Sequence, residues 1–144
     1  MASGLDNLEN LVRAKQLNVE PPHEAEITRL MAGADAFLAD ARKAGLSVHT
    51  QFSVAYSAAH LLALAALRAA GYRPSSAGHR RIVFQVLEFT AGASKKLARA
   101  LGQYHDRRNK VEYEASTPST LEAEDLTKLA EELRALVRRR IKEK

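Results

Sequence analysis

A single stretch, YHDRRNKVEYE at positions 104–114, gathers most of the side chains in this chain that could do chemistry. If the stretch is helical, positions 97, 101, 104, 108 and 111 stay within about 40° of one line. Four of these positions are apolar or aromatic, and the fifth is Arg108. A buried guanidinium without a counterion is very costly. Arg108 must therefore pair with an anion, extend the charged end of its side chain to solvent, or face a cleft or subunit interface.

Three polar side chains form a strip beside Arg108. His105, Asn109 and Tyr113 follow one another at intervals of four residues, so a helix places them on adjoining turns. The planar guanidinium of arginine can bind phosphate with two parallel N–H donors, and asparagine can orient the phosphate. Histidine or tyrosine can accept or donate a proton. The strip therefore predicts a phosphate-binding site, and the neighbouring cations Arg107 and Lys110 are predicted to contact the same polyanion.

A purely structural interpretation of Arg108 stands beside the functional one. Glu112 follows Arg108 by four residues and could hold it as an ion pair, as could an acid on another helix. For a single arginine in an apolar stripe the sequence pattern by itself favours this structural role. His105 is likewise as good a candidate for an ordinary surface histidine as for a proton acceptor.

Composition and charge narrow the function classes. The chain has 144 residues with 46% hydrophobic and 27% charged side chains, which suits one compact domain. It has no cysteine, which removes thiol chemistry and thiolate metal sites and fits a reducing cytoplasm. The net charge is +5, and residues 95–118 carry 6 basic and 3 acidic groups. This balance favours a polyanionic partner, although helix C-termini also attract cations.

The sequence lacks the residue patterns that several other functions require. No two histidines lie three or four positions apart, so no zinc site is predicted, and no nucleotide-binding glycine loop or other cofactor motif is present. The N-terminus lacks the pattern of a signal peptide. The longest uncharged stretch, 44–67, contains seven polar side chains, which predicts a buried central helix rather than a membrane span. We therefore expect a cytoplasmic protein with no metal, no cofactor and no membrane contact.

Apolar residues recur with helical periodicity along nearly the whole chain, and no strand is predicted. We expect an all-α, antiparallel bundle of about six helices in a single domain, 1–144. Its parts are a short N-terminal helix at 5–16 beginning near Ser3, a core bundle at 23–114 and a basic C-terminal helix at 120–142. Within the core bundle the predicted helices are 23–44, 48–70 starting after Ser47, 79–90, and 95–114 capped by Ser94. Ser119 and Glu122 have the spacing of a capping box at the start of the last helix.

The predicted start of the helix at 79–90 is also basic. His79, Arg80 and Arg81 follow a glycine, an arrangement that could bind phosphate at a helix N-terminus. Positive side chains at that end oppose the helix dipole, so the pattern favours a solvated basic turn.

Two segments of the chain resemble the HEPN superfamily of small helical proteins. AYSAAHLLALAALRAAGYRP at 55–74, followed by GHRRIVFQVL at 78–87, resembles the family's aromatic- and alanine-rich helix, its glycine-bearing loop and the histidine-containing start of the next helix. RRNKVEY at 107–113 resembles the family's active-site motif, an arginine, usually followed by asparagine, and then a histidine after four to six residues. The resemblance covers residues 50–114, less than half of the chain.

The resemblance implies a homodimer whose two motifs face one shared cleft. In the family this cleft performs metal-independent RNA cleavage, in which the ribose 2′-hydroxyl attacks the adjacent phosphate. Such proteins occur in bacterial toxin–antitoxin and defence systems, and some pair with a nucleotidyltransferase. Carried onto this chain, Arg108 takes the arginine position, or Arg107 in its place, and Asn109 takes the asparagine position. Tyr56 and His60 become candidates for lining the cleft, although a histidine among alanines and leucines is more often a hydrogen-bonded core residue.

Tyr113 departs from the family motif because it stands where a histidine is expected. A tyrosine with a pKa near 10 is a poor general base at neutral pH, where an imidazole near 6.5 is well matched. Two functions therefore stay open. The first is an RNA-contacting, ribonuclease-like protein, with His105 as the substitute base if it is active. The second is a non-catalytic module of the same type that binds a nucleotide or a protein partner, such as a nucleotidyltransferase or an antitoxin.

Overall fold

The computed structural model describes residues 4–76 and 80–142. Seven helices and two short strands are found in these ranges, which confirms the prediction of an all-α bundle. In chain order they are α1 (Gly4–Arg13), β1 (Leu17–Val19), α2 (Glu24–Ala41), α3 (Val48–Ala69), β2 (Tyr72–Pro74), α4 (Ile82–Gln85), α5 (Leu87–Thr90), α6 (Lys95–Tyr113) and α7 (Thr120–Lys142). The predicted helix starts near Ser3 and at His79 lie outside the described residues.

The central helix is α3, against which α2 and α7 make the most extensive helix contacts of the described residues. Alanines along α3, among them Ala55, Ala59 and Ala63, have no exposed surface, and their small side chains let the neighbouring helices approach closely. By length and composition α3 could also cross a membrane, but 67% of its most apolar window is buried inside the protein. Burial of that kind is what the core helix of a folded domain shows.

Three helix starts are capped by serines, as the sequence pattern predicted. The hydroxyls of Ser47 and Ser94 each accept a hydrogen bond from the backbone amide three residues later, at 3.1 Å. At the start of α7 the capping box is formed in both directions. The Glu122 amide donates to the Ser119 hydroxyl at 3.1 Å, and the Ser119 amide donates to the Glu122 carboxylate at 2.9 Å.

The two strands correct the prediction that the chain has none. β1 pairs antiparallel with β2, and Leu17 lies opposite Pro74 while Val19 lies opposite Tyr72. Each strand has only three residues. Alternation of apolar and polar side chains cannot be recognised over so short a run, and β2 falls between the predicted helices 48–70 and 79–90.

The predicted helix at 79–90 is also corrected, because its described part forms two four-residue helices, α4 and α5, joined at Val86. Five of the six side chains at 82–87 are buried, and Gln85 is the exposed one. A straight amphipathic helix buries one stripe only, so the bend at Val86 is what lets nearly all of these side chains reach the core.

The buried face of α6 differs from the predicted stripe. Its buried residues are Leu97, Leu101, Gly102, His105 and Val111. Arg108 lies on the same side of α6 and is partly buried, with 19% of its side chain exposed. The predicted stripe is therefore buried at Leu97, Leu101 and Val111, and Gly102 and His105 extend the buried face beyond it.

The guanidinium that is fully buried belongs to Arg68, at the end of α3. Its Nε donates to Glu26 at 2.7 Å, Nη1 donates to the backbone oxygens of Glu20 and Tyr72 at 3.0 and 3.1 Å, and Nη2 donates to that of Pro21 at 2.9 Å. Arg73 of β2 binds the same two carboxylates, those of Glu20 and Glu26. We call Arg68, Arg73, Glu20 and Glu26 the Arg68 network, which joins the end of α3 to the β1–α2 connection and to β2.

Candidate phosphate-binding site

Three helices bring a group of aromatic, imidazole and guanidinium side chains together. Tyr56 and His60 lie one turn apart on α3, Phe84 lies on α4, and α6 contributes the rest. We call this group the histidine–arginine cluster; its members are Tyr56, His60, Phe84, His105, Arg108 and Asn109. Of the predicted site residues it unites five, two from α3 and three from α6.

A buried hydrogen bond between Tyr56 and His105 lies at the centre of the cluster. The Tyr56 hydroxyl is 2.8 Å from His105 Nδ1, and the two residues are 4% and 7% exposed. Because 49 residues separate them along the chain, the bond ties α3 directly to α6. It also fixes the rotation of the imidazole ring.

The other imidazole nitrogen of His105 faces Asn109, one turn later on α6. The distance from Asn109 Nδ2 to His105 Nε2 is 3.5 Å, at the limit of a hydrogen bond. Because Asn109 Nδ2 can only donate, Nε2 is the acceptor in this arrangement and Nδ1–H donates to the Tyr56 oxygen. Nε2 is therefore the imidazole nitrogen that can accept a proton.

Arg108 lies over the face of Tyr56, with its guanidinium carbon 5.0 Å from the ring centroid. Arg108 Nη2 is 3.1 Å from the Glu112 carboxylate, so the predicted i, i+4 ion pair is formed. The Glu112 side chain is 45% exposed, and an exposed pair of this kind contributes only about 0–1 kcal/mol. The pair uses Nη2 of a planar group with five N–H donors, and the described residues give Arg108 no other hydrogen bond or ion pair.

The cluster is positively charged at neutral pH. Burial lowers the pKa of His60 to about 4, and the charges of Arg80 and Arg108 act in the same direction. Burial also lowers the pKa of His105, against the opposing effect of Asp106. Both imidazoles are therefore neutral at pH 7, while the guanidiniums keep their charge. Burial raises the pKa of Tyr56, so its hydroxyl stays protonated.

The structure places Arg107 outside the cluster, where it holds the connection between α6 and α7. Its Nε donates to Glu122 at 2.8 Å, Nη1 donates to the Ser116 hydroxyl at 2.6 Å, and Nη2 donates to the Thr117 carbonyl at 2.9 Å. Arginine bound on three sides in this way has little left for a ligand. Of the two adjacent arginines, Arg108 is the one that belongs to the candidate site.

Tyr113 and Lys110 also lie apart from the cluster. Tyr113 is the last residue of α6 and is 78% exposed, and Lys110 is exposed as well. Each step of four residues rotates a helical side chain by about 40°, so two steps carry Tyr113 about 80° away from His105. The predicted strip therefore holds for His105 and Asn109 and ends before Tyr113.

Two residues of this region were missed by the sequence analysis as parts of a site. Phe84 is 1% exposed, and its ring centroid lies 6.1 Å from Tyr56, 6.2 Å from His60 and 6.0 Å from His105. Arg80 acts on the same rings through its charge. Neither has a spacing relation to α6 along the chain, and only the basic run at 79–81 signalled Arg80.

Comparisons of the chain with protein-family models, with curated proteins and with solved structures found no match. Within residues 4–76 and 80–142, no three His, Asp or Glu side chains come together as a metal-binding group.

Proposed function

We propose that this protein contacts RNA through the histidine–arginine cluster and acts on it as a metal-independent, ribonuclease-like protein. The observation that carries the proposal is the state of Arg108. Its guanidinium is held over Tyr56, is paired to one exposed carboxylate and lies one turn from a neutral imidazole. An arginine with unused donors beside a proton acceptor is a suitable pair for a phosphate diester.

The roles of the side chains follow from their positions. Arg108 holds the non-bridging phosphate oxygens, and Asn109 orients the phosphate. His105 takes the proton of the ribose 2′-hydroxyl as its oxygen attacks the phosphorus, and the bond to the 5′-oxygen breaks. The 5′-oxygen then takes up a proton, which gives a cyclic 2′,3′-phosphate and a free 5′-hydroxyl. Tyr56 holds the imidazole ring in place throughout.

A second candidate function is a non-catalytic module that binds a nucleotide or a protein partner. Two observations favour it. His105 is only 7% exposed, and Tyr113, which stands where the HEPN motif has histidine, lies in solvent rather than beside Arg108. In this candidate Arg108 still binds an anionic group, but no side chain is placed to accept the proton.

We also propose that the protein forms the homodimer that the HEPN resemblance implies. A homodimer would cover the exposed ring of Tyr113 of each copy, and large exposed aromatic side chains are typical of interfaces. A toxin–antitoxin or defence setting, with an antitoxin or nucleotidyltransferase as partner, belongs to the same proposal. Gel filtration with light scattering tests the dimer, and a monomer at micromolar concentration would contradict it.

Cleavage of a labelled RNA in EDTA tests the activity. Arg108→Gln removes the phosphate-binding fork, whereas Arg99→Gln removes the same charge from an exposed position on the same helix. Cleavage that survives EDTA, disappears in Arg108→Gln and persists in Arg99→Gln would support the first candidate. Binding without cleavage would favour the second, more strongly if Tyr113→His created activity. No binding at all would overturn both for RNA.

A further inference from the structure

Two adjacent arginines in front of α4 are used differently. Arg81 Nε donates to the Asp106 carboxylate at 3.2 Å, and Arg81 lies so close to α6 that a Cβ at Gly102 would be 3.1 Å from its Nη2. Arg80 is exposed, and its side chain makes no hydrogen bond or ion pair with any residue of the described ranges. Arg81 therefore attaches this segment to α6, while Arg80 has its donors available.

The charge of Arg80 acts on the histidine–arginine cluster. After burial, the positive charge of Arg80 is the largest contribution that lowers the pKa of His60, and it acts on Tyr56 too. Arg80 also lowers the pKa of His105, on which the ion-paired Arg81 has the larger effect. The geometry agrees, because Phe84 of α4 packs against those three rings and so fixes the start of α4 beside them. Arg80 and Arg108 thus act on one site, Arg80 from the turn before α4 and Arg108 from α6.

His60 provides an aromatic surface at the same place. Its ring stacks on Tyr56 with a centroid distance of 6.2 Å and an interplanar angle of 26°, and Phe84 meets it edge-on at 6.2 Å. His60 is half-buried, whereas Tyr56 and Phe84 are almost fully buried. It is therefore the ring of the cluster that remains accessible, and it is held rigidly by the other two.

We infer that Arg80 and His60 form a second nucleotide subsite beside Arg108, in which Arg80 binds the next phosphate along the RNA chain and the His60 ring stacks on an unpaired base. This rests on the proposed RNA contact. Stacking on an aromatic ring needs a base that has left its helix, and A-form duplexes do not offer one. The substrate class is therefore single-stranded RNA of at least two nucleotides.

Fluorescence anisotropy with a labelled adenosine octamer, measured over a series of salt concentrations, tests the subsite. Arg80→Gln is expected to weaken binding about five- to tenfold and to reduce the slope of log K against log salt by about 0.7, the value for one phosphate of a single strand. Arg81→Gln is the matched control, because it removes the same charge from the neighbouring position. It is expected to weaken binding less than twofold.

The base contact is tested with His60→Ala and two oligomers. His60→Ala is expected to weaken binding of the octamer at least fivefold, since stacking of a base on an aromatic ring is worth that much. The loss should vanish with an abasic octamer, which keeps the phosphates and lacks the bases. Circular dichroism spectra that match the natural protein establish that each variant is folded.

The outcomes separate this inference from the proposal beneath it. If Arg108→Gln abolishes binding while Arg80→Gln and His60→Ala bind like the natural protein, the subsite is overturned and the RNA contact stands. If the natural protein binds no RNA, both fall. Equal losses in Arg80→Gln and Arg81→Gln would mean an unspecific charge effect and would also overturn the subsite. The subsite would also be overturned if His60→Ala weakened binding of a fully paired hairpin as much as it weakens binding of the octamer.

Discussion

Two regions of this molecule hold an arginine against carboxylates, with opposite results. In the Arg68 network the guanidinium is fully buried, and carboxylates and three backbone oxygens accept its hydrogen bonds. In the histidine–arginine cluster Arg108 has a ring face and one exposed carboxylate. The first arginine is saturated by its own chain, and the second keeps donors for a ligand.

The two arginines differ both in burial and in the number of partners that their own chain supplies. The Arg68 side chain donates to the β1–α2 connection and to β2, so its removal would release both from α3. Hydrogen bonds from the two arginines also lower the pKa of Glu26, so this carboxylate is stabilised in its charged form. Among the described residues, Arg108 contacts a second helix through the face of the Tyr56 ring and makes no hydrogen bond to it.

The largest expected effect is the loss of stability on replacing Arg68. Arg68→Met leaves the Glu26 carboxylate with one arginine instead of two and leaves three backbone oxygens without their donor. We expect a loss of about 3–5 kcal/mol in the free energy of unfolding, measured by urea denaturation. Arg68→Lys should recover part of it, because lysine restores the charge without the planar fork. A loss below about 1 kcal/mol would contradict the assignment of the network as structural.

The next largest effect is a change of stability with pH, which occurs in a different pH range for each of the two regions. The pKa of His60 is lowered to about 4 in the folded protein from 6.5, so the unfolded chain binds the proton more readily. Stability from this group is complete above pH 6.5 and is lost as the pH falls from 6.5 towards 4, by at most about 3 kcal/mol. Glu26 contributes to the pH dependence at lower pH, because its lowered pKa gives stability that is lost only below pH 4.5.

His60→Gln isolates the contribution of the cluster. Urea denaturation of this variant and of the natural protein between pH 7 and pH 3 should show a smaller decline in the variant above pH 4. The two curves should run parallel below pH 4, where His60 is protonated in the folded and in the unfolded protein and the same carboxylates titrate in both proteins. Identical curves over the whole range would show that His60 is not held neutral by its surroundings.

The smallest effect on stability belongs to Arg108. Arg108→Met removes an exposed ion pair and a contact with one ring face, and we expect a loss of about 1 kcal/mol in the free energy of unfolding. The same denaturation series measures it. A loss as large as that of Arg68→Met would mean that Arg108 is held for the fold, and the comparison between the two regions would fail.

The sequence was informative where the signals are local. Helix positions, the three serine caps and the Arg108–Glu112 pair depend on residues within one turn of each other, and the structure has them. The neighbours His105 and Asn109 were also found from their spacing. The two three-residue strands and the bend at Val86 were not, because their pattern is too short or too uniformly apolar to show a period.

The rest of both regions depends on contacts between distant segments. Tyr56 and His105 are 49 positions apart, and Arg68 donates to backbone oxygens 47 and 48 positions before it. A backbone oxygen leaves no mark in the sequence, so nothing distinguished Arg68 from any other arginine at a helix end. The sequence pattern therefore indicated Arg108, which lies in an apolar stripe, and gave no sign that Arg68 is the fully buried arginine.

The central claim is that Arg108 is kept available for a phosphate. The most direct test is binding of a single-stranded RNA by the natural protein, Arg108→Gln and Arg99→Gln at increasing salt. The account predicts affinity that falls steeply with salt, a loss of about tenfold or more in Arg108→Gln with a slope reduced by about 0.7, and little change in Arg99→Gln. Equal binding by the two variants, or binding that ignores salt, would contradict it.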